Sequence, residues 1–470
     1  MHRIFAALTV ALLTLAAPAA AVPPAPLDVP GDLTVTEVSF RGGGDLTLHG
    51  SVISPAAQAG GRRAGVVLVH GAGTGTPRDK LLGEAVAFAR QGLTVLVYDK
   101  RSAGYSLFER SYATLADDAL GAVGALRRQP GVDPGKVGVW GLSEGGWVAP
   151  LAASRSGDVS FVIVVGANAL QPLRQQAWAV AAGLRKAGVD GSLVDRAEPN
   201  LYRVITDGGM FPEPYHDAEA VLARVRQPVL GIWGVHDLLT PPRETPPIFA
   251  AALEKGGNRQ YAFRFFAGAD HAAHLTPDGG VTRRPELAPG YAELVGSWVG
   301  DATEGRAPVA EISGPAPVQA DDSVGVPPTQ WWESAGIQAA ALVLFLVAFG
   351  GYPVVALVRR VRGRPVAPSS RAARLVSAGG LAAVLGGFAY LFYLVMTGGK
   401  LATPGPVVAE RPLVWLALQA LAVATVVATV LTGMRWRRSA PRGEKARLGI
   451  LLAGGVAFVP WALYWGLLIP

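Results

Sequence analysis

The 470-residue chain contains no cysteine. That absence excludes disulfides, thiolate metal sites and a cysteine nucleophile. It leaves the redox compartment open, because an exported protein can do without disulfides. Charge is also scarce, at 16% of residues against 50% hydrophobic. Such a balance points to buried or lipid-facing segments. No G-x-G-x-x-G is present, and neither Lys-Ser nor Lys-Thr follows the glycine-rich loop at His70-Gly71-Ala72-Gly73. A phosphate cradle is therefore not expected there.

The net charge of +7 could suggest nucleic acid, but its distribution argues otherwise. Two short stretches, Arg359 to Arg374 and Arg435 to Arg447, hold 12 of the 42 Lys and Arg with a single acid, Glu444. The remaining 30 basic residues face 34 acidic ones. A nucleic-acid binder spreads a basic patch over a folded face. Here the basic residues flank apolar runs, the mark of membrane topology.

Arg3, the apolar stretch Ile4 to Ala17 and the small residues Pro18-Ala19-Ala20-Ala21 read as a secretory signal peptide, residues 1–21. Ala19 and Ala21 fit the A-x-A rule and place cleavage before Val22; the alternative is an uncleaved signal anchor. A Pro-rich leader at 22–32 is expected to be loose.

From Leu33 to about residue 300 the pattern alternates strand with helix. Leu33 to Phe40 and Leu46 to Ile53 read as paired strands around Gly42-Gly43-Gly44. Short β-rich runs follow at Val66 to Val69, Thr94 to Val97, Val137 to Trp140, Phe161 to Val164, Val229 to Ile232 and Tyr261 to Phe266. Helix-like segments intervene, including Leu81 to Arg90, Thr114 to Arg128 and Gly145 to Arg155. Continuous apolar strands separated by helices imply a mostly parallel sheet covered on both faces. The longer, helix-rich segment from Leu170 to Arg226 sits where a cap insertion would lie over an active site.

Residues 301–333 are rich in Pro, Gly, Ala and acids and read as a linker. Four apolar segments then form a membrane domain, at 335–358, 375–397, 413–434 and 449–468. Each reaches the ~20 residues needed to cross the hydrocarbon core, and none contains a charged residue or histidine. If residues 22–333 are outside, the two Arg clusters are inside. The signal peptide and the positive-inside bias thus agree on orientation.

Gly141-Leu142-Ser143-Glu144-Gly145-Gly146 follows the strand ending at Trp140 and opens a helix. This strand–turn–helix context makes G-x-S-x-G informative, because so tight a turn excludes a Cβ on the flanking glycines. A serine hydroxyl needs a base, and the base an orienting acid. Asp237 follows the strand at Val229 and His271 follows the strand at Tyr261, giving the chain order Ser143, Asp237, His271. His274 is the rival base. The His271–His274 pair as a metal site lacks a third ligand on the same face. His236 reads as structural. The loop after the strand at Val66 should supply one oxyanion N–H and the residue after the nucleophile the other. The expected donors are Ala72 and Glu144, with Gly71, Gly73, Gly141 and Gly145 as loop and elbow glycines.

The pieces VLVHGAG, Arg78-Asp79, VLVYDKRSAGYS, VGVWGLSEGGWVAPLAA, GIWGVHD and FAGADHAAH resemble bacterial α/β-hydrolases of the dienelactone-hydrolase and prolyl-oligopeptidase-like type. The resemblance spans residues 35 to 299. It implies an α/β-hydrolase fold, in which the segment from Leu170 to Arg226 would be the cap insertion; the all-α transmembrane bundle that follows lies outside the resemblance and is read from the apolar runs alone. By similarity Ser143 is the nucleophile, Asp237 the acid and His271 the base of an ester or amide hydrolysis that needs no cofactor or metal. One departure is Ser102, where such sequences carry glycine in a D-x-R-G turn.

The reading that results is a membrane-anchored extracytoplasmic serine esterase. Its partners are a small-molecule or peptide ester or amide substrate and the lipid bilayer, with no nucleic acid. A peptidase or an acyltransferase on the same triad is the alternative. A transporter or sensor with a non-catalytic hydrolase-like domain is the rival from another class. Against it, transport paths usually need ionisable residues in the bilayer. Glu144 reads either as a ligand for a substrate amine or as a solvated helix-start residue.

Overall fold

The computed structural model describes residues 27–57, 61–106, 108–306, 308–366, 368–398, 403–439 and 442–470. The signal peptide expected at 1–21 lies outside the described residues.

Nine strands form one sheet: β1 (Leu33–Arg41), β2 (Thr47–Pro55), β3 (Arg63–Val69), β4 (Thr94–Tyr98), β5 (Val132–Leu142), β6 (Val162–Val165), β7 (Val229–Gly234), β8 (Tyr261–Phe266) and β9 (Glu311–Ser313). The order is β1-β2-β4-β3-β5-β6-β7-β8-β9. β1 and β2 pair antiparallel, β2 runs antiparallel to β4, and every later pair is parallel. The continuous apolar runs follow from burial on both faces. Successive side chains alternate between two cores. Val67, Val69, Leu96, Val139, Val162 and Val164 enter one core. Val66, Leu68, Val95, Trp140, Ile163 and Ile232 enter the other. Helices α2 (Tyr112–Arg127), α3 (Gly145–Arg155), α6 (Ala218–Leu222) and α7 (Thr245–Lys255) cover the first face. Helices α1 (Leu82–Arg90) and α8 (Tyr291–Thr303) cover the second. This is the α/β-hydrolase fold.

The described part of the leader, from Leu27, and the described part of the expected linker are both held by packing. In the leader, Leu27 and Val29 pack against the second core, and Asp32 pairs with Arg90 at 2.9 Å. The expected linker begins inside α8 and contributes β9, which extends the sheet beside β8. Further on, Ser323 accepts from Arg174 and donates to Glu244 at 2.8 and 2.7 Å.

The insertion after β6 holds α4 (Pro172–Lys186), a short π-helical turn and α5 (Glu198–Asp207). Among the described residues, four helices follow that are long and apolar enough to cross a membrane. The first, α9 (Ala335–Phe345) and α10 (Gly351–Val361), is joined through a π-helical turn. The others are α11 (Arg371–Gly398), α12 (Leu413–Ser439) and α13 (Arg442–Tyr464). Small residues let them close up. A Cβ on Gly379 or Gly386 of α11 would lie 2.9 Å from Thr425 or Leu418 of α12.

The insertion and these helices share one core. Leu173, Val180, Leu184, Leu193 and Leu201 pack together with Phe345, Leu391, Trp415 and Trp465. The contacts gather at one end of the bundle. Asp207 caps Ala335 N–H at 2.8 Å, Ser192 accepts from Trp415 and Gln419, and Asn200 donates to Tyr464 O at 2.7 Å. The Arg-rich stretches lie at the opposite helix ends, where the Arg447 guanidinium sits 4.1 Å above the Tyr352 ring.

Candidate active site

β5 runs into α3 through Ser143, which stands at φ 56°. That left-handed conformation costs a non-glycine residue roughly 1–3 kcal/mol and persists only where the surroundings impose it. They do so through close packing. A Cβ on Gly141 would lie 2.0 Å from Gly145 O, and one on Gly145 would lie 2.6 Å from Val69 O. The elbow glycines are therefore sterically obligatory.

The carboxyl end of β6 meets the backbone of Ser143 and the side chains of Asp237 and His271. Ser143 N–H donates to Val165 O at 2.9 Å. The next residue, Gly166, packs so tightly on His271 that a Cβ there would lie 2.7 Å from Nδ1. Thr240 Oγ1 donates to Gly166 O at 3.2 Å and to Asp237 Oδ2 at 2.5 Å. Asp237 is fully buried. It also accepts from the N–H groups of Leu239 and Thr240, at 2.8 and 2.9 Å. His271 Nδ1 sits 2.9 and 3.0 Å from its two oxygens. Asp237, an acceptor on every side, thus fixes the imidazole with its proton on Nδ1. That leaves Nε2 as the acceptor, and among the described residues it is buried with no hydrogen-bond partner.

His274 faces elsewhere. Its Nε2 lies 3.0 Å from Glu84 and its Nδ1 3.0 Å from Arg284 O. Burial works against its charge, but the Glu84 carboxylate outweighs it and the imidazole pKa is raised. His70, at the head of the glycine loop, is kept neutral by burial, with its pKa pushed down to about 4. Its Nε2 donates to Tyr98 O at 2.9 Å.

The glycine loop approaches the elbow directly. A Cβ on Gly71 would lie 3.2 Å from Ser143 Cβ. Gly73 stands at φ 149° and donates its N–H to the Tyr105 hydroxyl at 3.2 Å. Among the described residues, the N–H groups of Ala72 and Glu144 have no acceptor.

Glu144 behaves differently from both sequence expectations. Its carboxylate is 2% exposed. It accepts from Tyr105 at 2.8 and 3.0 Å and from Arg110 Nη1 at 2.7 Å, and it pairs with Lys100. It is neither solvated nor open to a substrate amine. Lys100, Tyr105, Arg110, Gly166 and Thr240 escaped the sequence reading. The one visible signal was a run of charges, Asp99-Lys100-Arg101, at the end of a buried strand. Ser102, the departure from the D-x-R-G pattern, has no positive φ; Gly104, at 66°, takes the left-handed position instead.

A cavity of about 340 Å³ opens beside Asp237, between α4 and residues 318–321. Trp178, Arg185, Lys186, His236 and Asp321 line it, and neither Ser143 nor His271 does.

Residues 87–284 match the prolyl oligopeptidase family, a span that includes Ser143, Asp237 and His271. A polyketide transferase of Penicillium crustosum is 36% identical over 140 residues, 28% of this chain and 43% of that protein. A thiohydrolase of Aspergillus aculeatus is 31% identical over 137 residues, 28% and 41% of the two chains. The chain thus spans less than half the length of these relatives. Among solved structures, a hypothetical protein from Pseudomonas aeruginosa superposes with a TM-score of 0.39 at 16% identity, covering 59% of this chain and 96% of that one. A dienelactone hydrolase from Anabaena variabilis gives 0.34 at 20% identity, over 58% and 98%.

Proposed function

We infer that the domain is a serine hydrolase working through an acyl-enzyme on Ser143, held to a membrane by its four apolar helices. The observation that carries this reading is the strained Ser143 brought to the same strand end as an Asp237–His271 pair whose Nε2 is free. His271 Nε2 takes the Ser143 proton, and the oxygen attacks the substrate carbonyl. The N–H groups of Ala72 and Glu144 receive the oxyanion, each contributing roughly 3 kcal/mol. Collapse expels the leaving group, which takes the proton from His271. Water then repeats the cycle on the acyl-enzyme. Asp237 stays ionised and steadies the imidazolium.

A carboxylic ester is the first substrate class and an amide or peptide the second. The relatives named polyketide transferase and thiohydrolase favour a further reading, in which the same serine transfers an acyl group or hydrolyses a thioester. The positive-inside bias supports an extracytoplasmic hydrolase domain, because that domain packs against the helix ends opposite the Arg clusters.

The test is labelling of the full chain in detergent with a fluorophosphonate. Wild type should label and hydrolyse p-nitrophenyl esters. Ser143→Ala should do neither while keeping its melting temperature, since only the attacking oxygen is lost. Retention of most of the activity by that variant would overturn the assignment.

A further inference from the structure

The two walls of the oxyanion site come from distant parts of the chain. Residues 71–73 follow β3, and Glu144 opens α3. Strand pairing brings β3 beside β5, but the N–H groups of Ala72 and Glu144 lie beyond the paired residues, on loops. Something else has to hold them at a fixed separation. One buried carboxylate is tied to both walls. Lys100 Nζ pairs with Glu144 and also donates to Gly71 O at 2.6 Å. The Tyr105 hydroxyl donates to Glu144 at 2.8 Å and accepts from Gly73 N–H at 3.2 Å. Arg110 donates to the remaining Glu144 oxygen at 2.7 Å. Ala72 is thereby flanked on both sides by residues fastened to the side chain of Glu144, whose own N–H is the second donor.

We propose that Lys100 and Tyr105 are positioning residues that set the width of the oxyanion site by clamping the Glu144 carboxylate to the Gly71–Gly73 loop, with Arg110 holding that carboxylate from its other oxygen. The clamp also carries charge. Two cations meet one carboxylate, and the Lys100 ammonium lies 4.2 Å over the Tyr105 ring. Burial pulls the Lys100 pKa below its ordinary 10.5, and the Glu144 carboxylate works to keep the ammonium charged. Fixed dipoles and charges of that kind stabilise a transition state without reorganising during the reaction. A cluster serving stability alone would need no bond to the loop. Yet two of its three members make one.

The proposal rests on the serine-hydrolase reading, and the experiment separates the two. Full-length protein in detergent is assayed with p-nitrophenyl acetate beside Ser143→Ala. If Ser143→Ala retains activity, the serine-hydrolase reading falls. If it is inactive, Tyr105→Phe, Lys100→Met and Lys100→Arg decide the clamp. Loss of an oxyanion donor costs ~10²–10³ in kcat, so a displaced donor should cost about tenfold or more. Tyr105→Phe and Lys100→Met are expected to lose that in kcat with KM unchanged, and Lys100→Arg to regain most of it. Wild-type kcat in Tyr105→Phe and Lys100→Met would overturn the clamp. So would losses of kcat that only track a lowered melting temperature and vanish on cooling.

Discussion

His271 and His274 stand one helical turn apart in sequence, yet each is held by a different acid. Asp237 fixes His271, and Glu84, from α1, fixes His274. The two substitutions should therefore separate cleanly. His271→Ala is expected to abolish hydrolysis; it too strands a buried carboxylate, but Asp237 keeps its bonds from Leu239 N–H, Thr240 N–H and Thr240 Oγ1, which soften the loss of stability. His274→Ala should leave most of kcat but unfold more easily. It strands a buried Glu84, and breaking such a pair costs about 3–5 kcal/mol. The His274 pair also has a pH signature. Its folded pKa is raised above the ordinary 6.5, so its stabilisation is full below that value and fades as pH rises through the folded one. Thermal melts of wild type from pH 6 to 9 should show this loss, and His274→Ala should lack it. A dead His274→Ala variant would exchange the two roles. That Ser143, Asp237 and His271 follow β5, β7 and β8 was legible from the apolar runs that precede them. The environment of Glu144 was not, because Lys100 and Arg110 reach it from 44 and 34 residues away. Nothing local marks so distant a pairing.

Among the elements, the central strands were readable because a strand buried on both faces is a continuous apolar run bounded by turns. β9 was not, since Glu311–Ser313 is three residues in a Pro- and Gly-rich stretch with no periodic signal. The insertion was legible as helical, but not what it touches. An apolar stripe reads the same whether it faces a sheet or a membrane bundle. α5 carries the clearest consequence of that docking. Glu198 is 2% exposed, and among the described residues neither carboxyl oxygen has a partner. Burial pushes its pKa well above the ordinary 4.5, with only partial relief from Arg185. The folded state therefore holds the proton more tightly than the unfolded chain. Stability is highest below 4.5 and falls by ~1.4 kcal/mol per pH unit until the folded group ionises. Glu198→Gln should melt like wild type at pH 4 and clearly above it at pH 8. Parallel pH profiles for the two proteins would mean that Glu198 is charged and paired.

Across the whole molecule, the packing ties topology to function. Gly191 of the insertion lies so near Pro470 that an added Cβ would sit 3.5 Å from the Pro470 carbonyl carbon. The Pro470 end, the hydrolase domain and the start of α9 therefore share one end of the helix bundle. The clusters Arg359 to Arg374 and Arg435 to Arg447 mark the other end. In the sequence alone, sidedness rested on charge bias and on an export signal. The packing adds an independent constraint, because an even number of crossings is required if Pro470 is to return to the hydrolase domain. Translocating either Arg cluster would be costly, whereas the loop between α11 and α12 offers only Lys400 and Arg411 as basic residues. A reporter fused after Pro470 should thus be active only outside the cytoplasm, and protease added outside should digest the segment 33–332. The two readouts must move together. A protected hydrolase domain with a cytoplasmic reporter would invert the molecule and move its substrate to the cytoplasm. An exposed domain with a cytoplasmic reporter would mean that one apolar helix does not cross, and that the contacts of Ser192 and Asn200 with the α12 and α13 ends do not form in the bilayer.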